Sequence, residues 1–93
     1  MPEPVRYRRN DRVLWRRTGD GALLALPDEE GFERLSPSGA AVWELLAEPT
    51  TTPEVVAELA ELLDASPDTI ARDVDALLAL LVRRGLVEGE GGA

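Results

Sequence analysis

Three hydroxyl–proline pairs divide the second half of this chain into helices: Ser36-Pro37, Thr52-Pro53 and Ser66-Pro67. In each pair the hydroxyl can accept a hydrogen bond from a free N–H group at a helix start. Proline fits the first helical position because its missing donor is not needed there. Apolar residues follow each pair at helical spacing. The sequence therefore predicts three capped α-helices, which restricts the chain to a small fold.

The third predicted helix carries the broadest apolar stripe. Apolar residues recur along it at i, i+4, i+7, i+8 and i+11: Ile70, Val74, Leu77, Leu78 and Leu81. Arg83 and Arg84 suit the negative end of the helix dipole, and Gly85 can adopt the left-handed conformation that ends a helix. Leu86 and Val87 are then expected to turn back onto the core.

The residues before the first helix predict three short strands. Val13 and Trp15 would share one face of a half-buried strand, because side chains alternate along a strand. The segment from Ala22 to Leu26 is apolar on both faces, as expected of a central strand, and Phe32 to Leu35 forms a short edge strand. The predicted class is α+β: a three-stranded antiparallel sheet followed by three helices, resembling a winged helix-turn-helix.

A chain of 93 residues suits one domain with a modest core. Two prolines and little apolar content predict a flexible N-terminus over residues 1–11, and glycine and acidic residues predict a flexible tail over 88–93. We therefore expect the folded domain to span residues 12–87.

Composition argues against catalysis by this chain. It contains no His and no Cys, so the usual metal ligands and the commonest general base are missing. Ser36 and Ser38 have no histidine base, and no acidic cluster has calcium-loop spacing. We expect a binding module with no catalytic residues, metal site or cofactor. No apolar run approaches membrane-span length, so we expect a cytoplasmic protein without a membrane partner.

The charge distribution is uneven. The net charge is −8, yet residues 1–17 hold six arginines and two acids. Such a basic segment is compatible with nucleic-acid binding, but also with a solvated strand surface that protects a sheet edge. The acidic helical part would repel phosphate, which favours the second interpretation.

A winged-helix DNA-binding regulator is the main alternative. The second and third helices are joined by Asp64-Ala65-Ser66, about the length that a DNA-binding helix pair requires. The exposed face of the third helix would then enter the major groove. That face carries Asp68, Arg72, Asp75, Ala79 and Arg83. Two carboxylates near its start would face phosphates, so we expect no nucleic-acid partner.

Peptide recognition is the third class of function. An edge strand over residues 32–35 beside an apolar helix offers unpaired backbone groups and pockets, which strand addition by a peptide requires. The third helix has apolar residues beyond a single seam. Leu80 lies on one flank with Asp73, Ala76 and Arg84, and Ala71 and Val82 lie on the other. Burial in the protein's own core explains this width equally well, and the spacing leaves open which flank faces a groove.

A series of short motifs resembles a known family. The motifs are Leu35-Ser36, Val42-Trp43-Glu44-Leu45-Leu46, Thr52 to Leu59, the apolar spacing from Ile70 to Leu81, and Arg84-Gly85-Leu86-Val87. In this order and spacing, over roughly 12–87, the chain resembles the PqqD family. These are small leader-peptide-recognition domains of pathways that make modified peptides ribosomally (RiPPs).

The resemblance implies a site. Members of the family bind the leader of a precursor peptide as an added strand, between the third strand and the third helix. The expected peptide-binding residues are Phe32, Glu33, Arg34 and Leu35 from the strand, with Asp73, Ala76, Leu77 and Leu80 chosen from the helix. Leu77 and Leu80 would hold apolar leader residues, and Asp73 would meet a basic or hydroxyl group. Core packing is the alternative role for Leu77.

The resemblance also implies partners. A free-standing copy of this size is similar to the split recognition subunit of lasso-peptide pathways, which presents its precursor to a separate cysteine-type leader peptidase. It is also similar to the free-standing peptide chaperone of pyrroloquinoline quinone (PQQ) synthesis, whose partner is a radical enzyme. We expect a non-catalytic adaptor of the lasso type, with the PQQ-pathway chaperone as the alternative. Its partners would be a leader peptide and a leader peptidase or other maturation enzyme, without a cofactor.

Overall fold

The computed structural model describes residues 4–91, which form five strands and three helices. In chain order they are β1 (Arg6–Arg9), β2 (Leu14–Thr18), β3 (Gly21–Ala25), β4 (Glu33–Leu35), α1 (Pro37–Leu45), α2 (Thr52–Leu63), α3 (Pro67–Arg83) and β5 (Val87–Glu90). The predicted α+β class, a three-stranded antiparallel sheet followed by three helices, is confirmed. Within residues 4–91, no helix has both the length and the apolar character needed to cross a bilayer.

The three-stranded sheet has the order β2-β3-β4. Ala22 and Leu24 are buried on the helical side, so β3 is the predicted central strand. Gly21 begins β3 with a φ of +152°, where a Cβ atom would lie 1.8 Å from the Leu35 carbonyl oxygen. Only glycine fits this close approach between β3 and β4. The strand β4 begins at Glu33, one residue later than predicted.

The outer edge of β4 is free. Among residues 4–91, β4 pairs only with β3, through Ala22–Leu35, Leu23–Arg34 and Leu24–Glu33. Its second edge therefore retains backbone groups that no other described strand engages. This confirms the expectation that the third strand of the sheet lies at its margin.

The three helix starts differ in their capping. Ser36 caps α1 as predicted, because its Oγ accepts a hydrogen bond from the Gly39 N–H at 3.1 Å. The α2 cap is Thr51, so the prediction of Thr52 is wrong by one residue. Ser66 occupies the cap position of α3 but forms no capping hydrogen bond through its side chain.

The physical reason for the α2 shift is a variant of the capping box between Thr51 and Glu54, in which the carboxylate accepts from the hydroxyl of the cap residue. The Thr51 Oγ1 accepts from the Glu54 N–H, and its hydroxyl donates to Glu54 Oε1 at 3.1 Å. A glutamate three residues after the cap satisfies this arrangement. Thr52 has Val55 at the equivalent distance and cannot form it.

The core lies between the sheet and the helices. Its most completely buried side chains are Trp43, Leu24, Leu46, Leu81, Val55, Val74 and Val87. The predicted stripe of α3 is buried at Ile70, Val74, Leu78 and Leu81, whereas Leu77 is only half-buried. Gly85 ends the helix with a φ of +75°, and Leu86 and Val87 return to the core as expected.

The chain ends differ from the prediction of flexible segments over 1–11 and 88–93. Arg6–Arg9 and Val87–Glu90 form an antiparallel ladder instead. Tyr7 also joins β1 to the segment before α2, because its N–H donates to the Thr50 carbonyl at 2.7 Å and its carbonyl accepts from the Thr50 N–H at 3.0 Å. Residues 1–3 and 92–93 lie outside the described range, and the domain limits at 12 and 87 stay a prediction.

Arg9 connects β1 to the core. Its guanidinium carbon lies 4.8 Å from the ring centroids of both Trp15 and Trp43, and its Nε donates to the Trp43 carbonyl at 2.9 Å. The two indoles meet edge to face at 6.1 Å. Burial lowers the pKa of Arg9, opposed by the nearby Glu44 carboxylate. Cation–π contacts and one hydrogen bond therefore join β1, β2 and α1.

Candidate peptide-binding groove

A groove of about 470 Å³ runs between β4 and α3. One side is formed by β4 and the first residues of α1, and the other by α3, with a contribution from α2. Its lining residues are Glu33, Arg34, Leu35, Ser36, Ser38, Gly39, Val42, Leu59, Leu63, Ile70, Asp73, Val74, Leu77 and Leu80. This volume lies within the usual range of ligand sites. The free strand edge and the groove are therefore contiguous.

The strand side of the groove follows the alternation of β4. Leu35 points into the core and is 4 % exposed, while Glu33, two residues earlier, is half-buried on the same side. The Glu33 Oε1 lies 3.2 Å from the Arg84 Nη1. This ion pair joins the first residue of β4 to the C-terminal end of α3. Because Arg84 is half exposed, the pair contributes modestly to stability.

The helix side of the groove is mainly apolar. Leu77 and Leu80 are half-buried and line the groove, and Asp73 is exposed one turn earlier on the same side. Gly39 is buried where α1 comes near α3, and a Cβ atom there would lie 3.7 Å from the Leu77 Cδ2. This is an ordinary van der Waals distance, so Gly39 and Leu77 mark where α1 packs against α3.

The structure brings together six of the eight residues predicted for peptide binding: Glu33, Arg34, Leu35, Asp73, Leu77 and Leu80. Phe32 precedes β4 and lies in a depression on the other face of the sheet, and Ala76 is exposed on α3 but does not line the groove. The flank of α3 that faces the groove is therefore the one with Leu80. Peptide contact by these residues stays a prediction.

Several groove residues were not predicted. They come from α1 and α2 or from the buried stripe of α3: Ser36, Ser38, Gly39, Val42, Leu59, Leu63, Ile70 and Val74. Ser36 had already been given a capping role, which it fulfils. Leu63 lies at the end of α2 and is 47 % exposed beside the groove, but its helical spacing alone did not distinguish it from a core leucine. The approach of α1 and α2 to β4 is a tertiary feature that helical periodicity does not encode.

The polar groups of the groove are few. Glu33 and Asp73 supply carboxylates, and the Ser36 and Ser38 hydroxyls lie 3.2 Å apart. The Arg34 guanidinium lies instead 5.9 Å from the Phe32 ring. Within residues 4–91, no three side chains of a metal-ligating type are grouped closely enough to hold an ion. The groove offers backbone hydrogen-bonding groups, apolar pockets and a carboxylate at the rim, which suit an extended peptide.

The surface of the alternative DNA-binding hypothesis is also open. Asp68, Arg72, Asp75, Ala79 and Arg83 are all exposed on α3. Exposure alone is expected for the solvent side of an amphipathic helix. The exposure of this face is therefore no evidence for DNA binding.

Two solved structures share this small α+β fold. The TbiB1 structure, solved in complex with the TbiA(beta) leader peptide, matches with a TM-score of 0.77 and 23 % identity, covering 87 % of this chain and 94 % of that one. The second is a solution NMR structure of the PqqD truncation of Methylobacterium extorquens PqqCD, described as a functional and stand-alone RiPP recognition element. It matches with a TM-score of 0.74 and 24 % identity, covering 89 % and 88 %.

Family membership follows from the sequence itself. Residues 23–87 match the family described as Coenzyme PQQ synthesis protein D (PqqD). The chain belongs to this family, which confirms the predicted resemblance. No curated protein matches the chain.

Proposed function

We propose that this chain is a non-catalytic recognition element that binds the leader of a ribosomally synthesised precursor peptide and presents it to a separate processing enzyme. The observation that carries the proposal is the free outer edge of β4 beside an apolar groove. Membership of the PqqD family supports it. So does the fold shared with a protein solved with a leader peptide.

The proposed binding mode is strand addition. The leader would pair with the outer edge of Glu33–Leu35, extending the sheet from three strands to four. Alternate leader side chains would enter the groove because side chains alternate along a strand. Apolar ones would contact Leu77 and Leu80, and a basic or hydroxyl group would meet Asp73 at the rim.

The pathway is the finer part of the proposal. We assign the chain to a lasso-peptide type of pathway in which a leader peptidase acts on the presented precursor. The alternative is a PQQ-type pathway in which a radical enzyme is the partner. Purified enzymes of the two kinds distinguish these pathways, since only the correct one should process its precursor faster when this chain is added.

Strand addition makes a periodic prediction for the leader. The test uses a labelled synthetic leader of a candidate precursor peptide, and derivatives of it that are each methylated at one backbone nitrogen. Methylation of an amide that faces β4 removes a ladder hydrogen bond and adds a clash, so affinity should fall at least about tenfold, or about 1.4 kcal/mol. The neighbouring amides should tolerate it. Fluorescence anisotropy measures each affinity.

A shuffled leader of the same composition is the control and should not bind. Equal tolerance of methylation at every position would contradict strand addition while leaving peptide binding intact. Absence of saturable binding by the unmodified leader would contradict the proposed function itself.

A further inference from the structure

The face of the three-stranded sheet that points away from the helices carries an uncovered apolar patch. Trp15 contacts Trp43 of α1, so its neighbours Leu14 and Arg16 point to the opposite face. Ala22 and Leu24 are buried, so Leu23 and Ala25 also point outward. We call this surface the outer sheet face; with Phe32 it lines a depression of about 310 Å³.

The exposure of this face is large for so small a protein. Leu14 is 63 % exposed and Phe32 is 59 % exposed. Leu14 lies opposite Ala25 in the β2–β3 register, so the apolar groups are contiguous across strands. Contiguous exposed apolar surface on a soluble domain marks an interaction site more often than isolated apolar residues do.

The outer sheet face is also positively charged. Arg16 pairs with Leu23, and Leu23 pairs with Arg34, so two guanidiniums flank one leucine across three strands. Neither arginine has a carboxylate within 4.0 Å among residues 4–91, whereas Arg12 and Arg17 beside them do. No outward residue of β2, β3 or β4 is acidic. This contrasts with the net charge of −8 for the whole chain.

We infer that the outer sheet face is a docking surface for a protein whose own surface presents an apolar side chain flanked by carboxylates. Charge complementarity selects the partner's acids, because they would meet Arg16 and Arg34. The depression between Leu14, Leu23 and Phe32 would accept the apolar side chain. A depression suits a protruding side chain better than a flat bilayer does. The net charge of −8 disfavours nucleic acid, because the chain as a whole would repel phosphate.

The identity of this partner rests on the proposed function, under which it is the processing enzyme. A leader added to β4 would become the fourth strand of the same sheet. Its outward side chains would then continue the row formed by Arg16, Leu23 and Arg34. An enzyme docked on the outer sheet face would lie about 5 Å, one strand spacing, from the bound leader.

The test measures two affinities separately. A purified leader peptidase of the proposed lasso-type pathway is titrated against the full chain, with and without the leader, by biolayer interferometry. Leader affinity is measured alone by anisotropy. The variants are Arg16→Glu and Leu14→Ser, both on β2 and far from the groove. Their matched controls are Arg72→Glu, at an exposed arginine of α3, and Leu62→Ser, at a leucine of α2 that is 71 % exposed.

We expect Arg16→Glu and Leu14→Ser each to weaken enzyme binding at least tenfold, with leader affinity within twofold of the wild type. The controls should leave both affinities within twofold. The docking surface would be overturned if both β2 variants bound the enzyme as tightly as the wild type, or if the wild type did not bind it. The leader titration tests the proposed function independently of either outcome. Binding to phosphatidylglycerol vesicles tests whether a membrane covers this face instead, and sedimentation of the chain alone tests whether a second copy of the chain does. The proposed enzyme docking would also be overturned if the chain bound vesicles or itself but not the enzyme, and if Arg16→Glu abolished that binding.

Discussion

At the scale of single residues, neighbouring leucines of α3 have different roles. Leu78 and Leu81 are 2 % and 0 % exposed and belong to the core, whereas Leu77 and Leu80 are half-buried and line the groove. The apolar spacing predicted the core stripe. It could not decide between the two flanks, because that choice depends on where β4 lies relative to the helix.

Leu80→Asp should separate binding from stability. The variant places a carboxylate where the leader would bury an apolar side chain, so leader affinity should fall at least about tenfold. Because Leu80 already contacts solvent, the melting temperature should fall by only a few degrees. Anisotropy and thermal unfolding followed by circular dichroism check the two expectations.

Ala79→Asp, at an exposed position of the same helix, is the control and should change neither quantity. If Leu80→Asp unfolds the domain, Leu80 belongs to the core and the proposed groove is misplaced.

At the scale of secondary-structure elements, local signals predicted more than pairing did. The Ser36-Pro37 start of α1 and the glycine stop after α3 could be predicted, because each depends on residues within one or two turns. The central position of β3 could be predicted because the strand is apolar on both faces. The ladder of Arg6–Arg9 with Val87–Glu90 could not, since it joins opposite ends of the sequence and its residues show little apolar alternation.

Two substitutions at the start of α2 test whether Thr51 or Thr52 caps this helix. Thr51→Ala removes both hydrogen bonds that the Thr51 hydroxyl forms with Glu54, so it should lower the free energy of unfolding by about 1 kcal/mol. Thr52→Ala is the matched control and should change it by a few tenths at most. Urea denaturation measures both. A larger loss of unfolding free energy for Thr52→Ala would show that Thr52 is the cap, as the proline pattern alone predicts.

At the scale of the whole molecule, the β1–β5 ladder ties the two ends of the chain to the helical core. Tyr7 exchanges hydrogen bonds with Thr50, and Arg9 lies between Trp15 and Trp43. These contacts connect a segment that composition alone marked as flexible. The ladder and the three-stranded sheet therefore anchor the helices that form the groove.

Deletion of residues 1–9 should destabilise the domain. It removes the Tyr7–Thr50 hydrogen bonds, the Arg9 contacts and the partner of β5, so the free energy of unfolding should fall by about 2–4 kcal/mol. Deletion of residues 1–4 only, which ends before β1, is the control. Urea unfolding monitored by tryptophan fluorescence reports both. Equal stability of the two truncated chains would show that β1 contributes nothing to the fold.

The central claim is that a leader adds as a strand to the outer edge of β4, and nuclear magnetic resonance of the ¹⁵N-labelled chain tests it most directly. With saturating leader, the account predicts cross-strand nuclear Overhauser effects between leader and Glu33–Leu35. It also predicts slower exchange of the β4 amides that were free before binding. Saturable shifts confined to residues outside β4 and α3, with unchanged exchange at 33–35, would contradict it.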